Sequence, residues 1–384
     1  MSGTPHTDSP LPSGPEARID LRALRSNVEV LQRRAGTAAV MAVVKANAYG
    51  HGLIPCALAA QRAGADWLAT ATPREALTLR RSGVEGRMLC WLWTPAGPFA
   101  EAIEADIDIS VSGRWDLDKV SEAAARVGRT ARIHLKADTG LGRNGCAPAD
   151  WASLLGAAMA AQSDGLLKVV GVWSHLACAD DPAHPSVNAQ VQAFRYAVEA
   201  AERAGADLEV RHLANSAATL LLPETRFDLV RTGLSLFGLS PAPEHGTAAS
   251  FGLRPVMTLV APLASVKRVP AGHGVGYGHD HRTDTPTTLG LVPVGFSAGI
   301  PRHASGAASV SVAGRHYPAV GRIAMDQFVI DLRDSAAGAG DEVVLFGTGE
   351  HGEPTAEDWA RAANTIAYEI VTRIGPDVPR VYLP

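Results

Sequence analysis

Short runs rich in apolar and β-branched residues recur along the first two-thirds of the chain. They are "AVMAVVK", "DWLATAT", "RMLCWLW", "IDISVS", "ARIHLKAD", "VVGVWSH", "LEVRHLAN" and "RFDLVRTG". Each is too short for a helix and nearly continuous in apolar character, which is the pattern of a strand covered on both faces. Helix-like segments separate them, among them Asp116 to Arg126 and Val187 to Ala204. Strand and helix alternating about eight times predict a (β/α)8 barrel of the TIM type, placed here over residues 18–245. The alternation stops near "LSPAPEHGTAASFGLRP", a Pro- and Gly-rich linker. Beyond it "VMTLVAPLASVKRV", "TTLGLVPVGF", "SVSVAG", "FVIDL" and "DEVVLFG" are closely spaced strand signals. They predict a mainly β domain over residues 246–384, with one helix from about Ala356 to Ile374 and a last strand at "RVYL". The opening "MSGTPHTDSPLPSGPEA" is polar and rich in Pro, Ser and Gly, so residues 1–17 are expected to form a flexible arm.

Bulk properties narrow the function classes. The chain has 384 residues, enough for two domains. A net charge of -4 gives no reason to expect nucleic acid or an anionic membrane as partner. No apolar run approaches a membrane span, and the N-terminus has neither the basic start nor the apolar core of a signal peptide. The four cysteines, Cys56, Cys90, Cys146 and Cys178, show no paired or metal-like spacing. Reduced thiols and a cytoplasmic location are the expectation. His273, His279 and His281 are loosely spaced, with Asp280 the one acid among them, so a solvated loop is expected and no metal.

The candidate chemistry starts at "VVKANAYGHG", Val43 to Gly52. Lys45 falls where a buried strand ends. Taken alone, the stretch admits a lysine that snorkels out to water. It also admits an amine in a pocket mouth, with a pKa low enough to form a Schiff base with a carbonyl. The barrel favours the second. Active groups of such barrels lie at the carboxyl ends of the strands, and Arg143, His175, Asn215, Ser216 and Arg231 fall at that same end.

Together, "AVVKANAYGHG", "LKADTGLGR", "WSHLACAD", "HLANSAA", "DLVRTGLSLFG", "GVGYGH", "VGRIAMDQ" and "TIAYEI" resemble the fold-type III pyridoxal-phosphate enzymes, and among them the alanine racemase family. The resemblance runs in order over nearly the whole chain. It implies pyridoxal 5'-phosphate as cofactor and Lys45 as its Schiff-base lysine. Tyr49 and Tyr368 would donate to the cofactor phosphate, with Ser216, Gly233 and Leu234 completing that cradle and Asn215 beside it. Arg231 would face the pyridine nitrogen, with His175 against the ring and hydrogen-bonded to Arg231. An arginine keeps its proton, so the ring is a weak electron sink and racemisation is favoured over transamination. Tyr277 would be the second base, opposite Lys45, reaching the cofactor of the other subunit. Two complete sites would then need a head-to-tail homodimer. Met325 would come across with Tyr277 and offer its backbone to the substrate carboxylate, which Arg143 would also bind. Two readings stand for Lys136: a carbamate, as in some family members, or a strand lysine paired with Asp138.

Three segments depart from the family pattern: "GFSAG", "HDHR" and "AMDQ". "GFSAG" puts Phe296 and Ala298 where a tyrosine and an aspartate are usual, His281 stands where an aromatic residue is usual, and Ala324 replaces a frequent cysteine. The first two concern the expected entryway, and so bear on substrate range and inhibitor entry. The expected activity is interconversion of L- and D-alanine, supplying D-alanine for peptidoglycan. The rival is a racemase of the same family that prefers another amino acid such as serine. A decarboxylase of the fold type would place a carboxylate where Arg231 stands. A non-catalytic cofactor carrier built on the barrel alone would lack Tyr277 and Met325.

Overall fold

The computed structural model describes residues 13–384. The chain divides into two units, one running from Leu21 to Arg254 and the other joining the residues up to Asp20 to Pro255–Pro384. The first strand, β1 (Glu16–Asp20), belongs to the latter.

In the larger unit the apolar runs form β2 (Ala39–Val43), β3 (Trp67–Thr70), β4 (Arg87–Cys90), β5 (Asp108–Val111), β6 (Ala131–Lys136), β7 (Leu167–Trp173), β8 (Val210–His212) and β9 (Leu229–Thr232). All are parallel, in the order β8-β7-β6-β5-β4-β3-β2-β9. The two edges meet through Asp228 N–H to Arg211 O, 3.1 Å, and Arg231 N–H to Ala214 O, 3.0 Å. The sheet is the expected eight-stranded barrel, nearly closed. Helices follow the strands, and their ends carry the usual stop and start chemistry. Thr72 and Glu75 form a capping box ahead of Pro73–Arg81. The helix expected from Val187 begins instead at Pro185, whose missing N–H costs nothing at the first helical position. The helix expected from Asp116 starts at Arg114.

The second unit contains β10 (Met257–Pro262), β11 (Ser265–Val269), β12 (Gly274–Val275), β13 (His281–Arg282), β14 (Thr287–Val292), β15 (Ser309–Val312), β16 (Arg315–Val320), β17 (Phe328–Arg333), β18 (Glu342–Phe346) and β19 (Arg380–Leu383). Nine strands form one sheet in the order β11-β14-β17-β16-β15-β18-β10-β1-β19. Strand β1 lies antiparallel to β10 and parallel to β19. Its Arg18 grips both oxygens of Glu342 on β18, at 3.2 and 2.6 Å, and this bidentate pair pins the strand to the β unit.

Several expectations need correcting. Residues 16 and 17 are sheet, not arm, and residues 18–20 lie in the β unit, not the barrel; of the rest of the expected arm, residues 13–15 are without regular structure and residues 1–12 fall outside the described residues. The unit boundary is after Arg254 rather than after residue 245. The single helix expected over 356–374 is two, Ala356–Ala362 and Ala367–Thr372. Asn364 between them has φ 53°, a left-handed residue that ends a helix.

Candidate active site

Strand β2 ends in a conformation that its sequence does not advertise. Ala46, Asn47, Ala48 and Tyr49 all have φ between 52° and 55°. A left-handed turn of non-glycine residues costs about 1–2 kcal/mol per residue, so its surroundings must over-determine it. Ala48 N–H donates to Val44 O, Gly50 N–H to Ala46 O and Gly52 N–H to Asn47 O. Glu75 accepts from Ala46 N–H at 2.6 Å, and Asn47 Oδ1 accepts from Leu53 N–H at 2.8 Å. The turn fixes Lys45 at the barrel mouth, its amine 5.9 Å from the Trp91 ring centroid. Burial and Arg143 lower the Lys45 pKa, Glu75 opposes them, and Arg231 lowers it further.

Arg231, on β9, is buried among neutral acceptors. It donates to the carbonyls of His212 (2.9 Å), Ser174 (2.7 Å) and Leu213 (3.0 Å), and to His212 Nδ1 (3.2 Å) and His175 Nδ1 (3.3 Å). Its carbon lies 4.8 Å from the Trp173 ring centroid. Both terminal nitrogens are committed, while Nε has no acceptor among the described residues. Burial lowers its pKa to about 9, still above neutrality. His175 must accept through Nδ1 and is therefore neutral; burial, Arg231 and Arg143 hold its pKa well below the usual value.

Lys136 closes β6 and is buried, its amine 4.3 Å over Trp173. Burial, then Arg231 and Arg143, lower its pKa to about 7, against a smaller opposing effect of Asp138. It makes no ion pair with Asp138, whose Oδ1 accepts from the amides of Gly140 (3.0 Å) and Gly142 (3.2 Å). The loop carrying Arg143 doubles back onto the end of β6 through Cys146 N–H to Lys136 O (2.7 Å) and Asp138 N–H to Cys146 O (2.9 Å). Gly145 permits this, because a Cβ there would lie 2.7 Å from the Asp138 amide nitrogen.

A second cluster gathers Tyr49, Asn215, Ser216, Gly233 and Leu234. Asn215 caps Ser216–Leu221, its Oδ1 accepting from Ala218 N–H at 3.0 Å. The Ser216 hydroxyl accepts from Gly233 N–H (2.9 Å) and Ser235 N–H (3.4 Å). The Tyr49 hydroxyl sits where a Cβ on Gly233 would be, so any larger residue there would push the Tyr49 ring aside. Leu234 opens the short helical turn Leu234–Phe237. The result is a cluster of hydroxyl and amide groups at the end of β9.

The remaining candidates lie in the β unit. Tyr277 stands between Gly276 (φ 69°) and Gly278 (φ 74°), in a turn whose Asp280 pairs with Arg322. Three residues further, the Met325 carbonyl accepts from Ser297 N–H and Oγ–H, both 2.9 Å, and the Ala324 carbonyl from Phe296 N–H, 3.1 Å. Thus Phe296 and Ala298, two of the departures, flank the segment that carries Met325. Gly375 N–H donates to Ala298 O at 3.0 Å, which ties in the chain after the helix bearing Tyr368. Among the described residues no group of three or more His, Cys, Asp or Glu could hold a metal ion, and no helix is long and apolar enough to cross a membrane.

Sequence reasoning missed the polar residues inside the barrel strands: Asp108, His134 and His212, together with Trp173 and Glu75. The signal was present. A histidine or aspartate in the middle of an apolar strand run is a buried polar group that must find partners.

Residues 19–241 match the family model described as alanine racemase, N-terminal domain, and residues 256–382 that of the C-terminal domain. The alanine racemase of Streptomyces coelicolor is 61% identical over 372 residues, 96% of this chain and 95% of that one. That of Mycolicibacterium smegmatis is 50% identical over 95% of this chain and 94% of its own length. The crystal structure of alanine racemase from D-cycloserine-producing Streptomyces lavendulae superposes with a TM-score of 0.96 at 65% identity, covering 97% of this chain and 98% of that one. The two family models and these relatives together span nearly the whole chain, and the chain belongs to the alanine racemase family of isomerases.

Proposed function

We propose that the protein interconverts L- and D-alanine with pyridoxal 5'-phosphate, using Lys45 and Tyr277 as the two bases. The observation that carries this reading is Arg231: a buried cation with every terminal N–H committed and Nε unspent, beside a lysine of lowered pKa. The residues present fit the cofactor. The barrel mouth offers an amine able to be neutral, a donor that keeps its proton, and a hydroxyl-and-amide cluster in which a Cβ at 233 would meet the Tyr49 hydroxyl. Lys45 would hold the aldehyde carbon. Tyr49, Ser216, Gly233, Leu234 and Tyr368 would hold the phosphate, with Asn215 alongside; Arg231 and His175 would hold the ring. Pyridoxal phosphate supplies the electron sink that makes an amino acid's Cα–H acidic.

The chain's own groups do the rest. Arg231 would donate to the cofactor's ring nitrogen without giving up its proton, which would keep the sink weak and favour return of the proton to Cα. Racemisation needs a proton acceptor on one face of Cα and a donor on the other. Lys45 takes the proton from the D-enantiomer and Tyr277 from the L-enantiomer. A free tyrosine titrates near about 10, so a fixed cation must stabilise its phenolate for it to serve as a base. Arg143 and the Met325 backbone hold the substrate carboxylate. The reading includes a homodimer in which Tyr277 and Met325, both in the β unit, serve the partner's barrel. A cytoplasmic location and supply of D-alanine for peptidoglycan belong to the same reading.

A second reading, a racemase preferring another amino acid such as serine, is favoured by Phe296 and Ala298. They bracket Ser297, which holds the Met325 carbonyl. The test is racemisation of a panel of L-amino acids with an absorbance scan for the lysine-bound cofactor. Alanine turned over fastest, with the band present, supports the first reading; serine turned over fastest supports the second; no band ends both.

A further inference from the structure

The barrel interior holds a polar chain that the reaction described above does not use. His212 on β8 and His134 on β6 are both fully buried, and their rings meet at Nε2 and Nδ1, 3.0 Å apart. The far nitrogen of His134, Nε2, lies 3.1 Å from Asp108 Oδ2 on β5. The far nitrogen of His212, Nδ1, lies 3.2 Å from Arg231. Arg231 and Asp108 are thus joined through two imidazoles across the barrel core.

Donor and acceptor chemistry allows one protonation pattern along this chain. Ionised Asp108 only accepts, so His134 carries its proton on Nε2 and accepts at Nδ1. His212 must then donate from Nε2 and accept at Nδ1, where Arg231, which only donates, meets it. A second proton on either ring would set two donors face to face. Burial, Arg231 and His134 all push the His212 pKa well below the usual value, in agreement with a neutral ring.

The surroundings are built to hold the chain. Strand register shifts between Ile133 and His134, opposite β7. Gly171 on β7 leaves the room, since a Cβ there would lie 2.5 Å from His134 Nδ1. Trp173 stacks flat on His212, 5.6 Å between centroids at 2°, and Trp67 meets His134 edge-on. At the amino-terminal end of the strands Asp108 is itself held by Arg132 (3.0 and 3.3 Å). Arg132 also pairs with Glu209, which collects Lys168 and Arg87. The anchor is therefore an ionic lattice, and the far end is the arginine at the barrel mouth.

We infer that Asp108, through His134 and His212, is a positioning residue for Arg231, fixing the ring tautomers so that His212 always accepts from the guanidinium. The inference rests on the proposed role of Arg231 toward the cofactor. Two variants break the chain at different links. Asp108→Asn leaves one acceptor oxygen for the two donors, Arg132 and His134. Gly171→Ala displaces the His134 ring without deleting any polar group. Both loosen Arg231, and a loosened Arg231 lets the ring nitrogen gain a proton and strengthens the sink.

The experiment uses the holoenzyme. In each variant the racemisation kcat is expected to fall about tenfold, while pyruvate formed by transamination per racemisation turnover rises about tenfold. Simple destabilisation lowers both rates together and leaves that ratio unchanged. Nitrogen-15 spectra of the histidine rings are read alongside. The unaltered protein should show His134 and His212 protonated at Nε2, and the Asp108→Asn protein a mixture at His212. An unchanged pyruvate ratio in both variants overturns the inference, as does a wild-type His212 protonated at Nδ1. If the unaltered enzyme does not racemise alanine, the proposed function fails by itself, and the ring spectra of wild type and Asp108→Asn still decide the relay.

Discussion

In the barrel, Arg231 and Lys136 are each 4% exposed, whereas in the β unit Tyr277 is 71% exposed and Met325 56%. The barrel groups are held from several sides: Arg231 by five acceptor atoms, the Lys45 turn by backbone bonds, the Asn47 side chain and Glu75. The β-unit groups are held through their backbone alone, by glycine turns on either side of Tyr277 and by the Ser297 clip on Met325. A site can be preorganised by burying its groups in one chain, or by displaying them on a stiff turn for another surface to cover. The first costs desolvation, which appears here as the depressed pKa values of Lys45, Lys136 and His175. The second leaves an exposed tyrosine whose chemistry depends on what comes to cover it.

Replacing Lys45 removes the buried half of that contrast. Lys45→Ala should abolish racemisation in both directions and the absorbance of the lysine-bound cofactor. Full activity without added amine would show that the lysine merely snorkels out of the strand end.

The exposed half is broken by Tyr277→Phe, which keeps the ring and deletes the hydroxyl proposed as proton acceptor. Loss of a positioned base costs on the order of a hundred- to ten-thousand-fold. Net racemisation should fall in both directions, because each needs both groups. The asymmetry lies in isotope exchange. In deuterated water Cα exchange should survive for D-alanine, through Lys45, and be much weaker for L-alanine. Equal exchange from both enantiomers would make Tyr277 a packing residue and His175 the better candidate for second base.

Whether a second chain covers Tyr277 is a separate question. Dissociating and reassociating a mixture of Lys45→Ala and Tyr277→Phe chains gives half heterodimers, each with one intact site if the sites are shared. Activity should then approach about a quarter of wild type by random pairing in a two-fold dimer. Mixtures that never recover activity would refute the shared site.

The same contrast explains what could be read from the chain. The eight barrel strands were legible because parallel strands buried on both faces read as unbroken apolar runs. Strand β1 was not: "EARID" alternates over five residues and follows a polar stretch, and what makes it a strand is its pairing with β10, β19 and Glu342, far away in sequence. Strand β16, "RHYPAV", carries a proline and two charged or polar starts. Among the proposed site residues, Lys45 and Arg231 were legible because they lie at the ends of barrel strands, whereas Tyr277 and Tyr368 were legible only through the motifs "GVGYGH" and "TIAYEI". The left-handed turn after Lys45 was hidden, since Ala, Asn and Ala carry none of the glycine signal that marks positive φ. The Asp108, His134 and His212 chain was hidden for the opposite reason, each polar residue being absorbed into an apolar run.

The smallest expected effect concerns the buried charge of Lys136. Its pKa in the folded protein is about 7, against an ordinary lysine value of 10.5. Below pH 7 both folded and unfolded chains carry the proton, and the folded state bears the full cost of the buried cation. Between about 7 and 10.5 the folded chain has released the proton and the unfolded chain keeps it. The unfolded state then binds more protons, so stability rises with pH across that window, by at most about 1.4 kcal/mol per pH unit for one group. Above 10.5 the contribution is flat. Lys136→Gln removes the titrating group, so the wild-type-minus-variant slope of unfolding free energy against pH isolates it from Lys45. A carbamate would change the result, because a carbamylated lysine no longer titrates as an amine and instead places an anion beside Arg143. Urea unfolding in carbon-dioxide-free buffer should show the slope, and added bicarbonate should flatten it if the carbamate forms. A slope that ignores bicarbonate favours the neutral amine held over Trp173, and no slope in either buffer would mean that Lys136 keeps its proton in the folded protein.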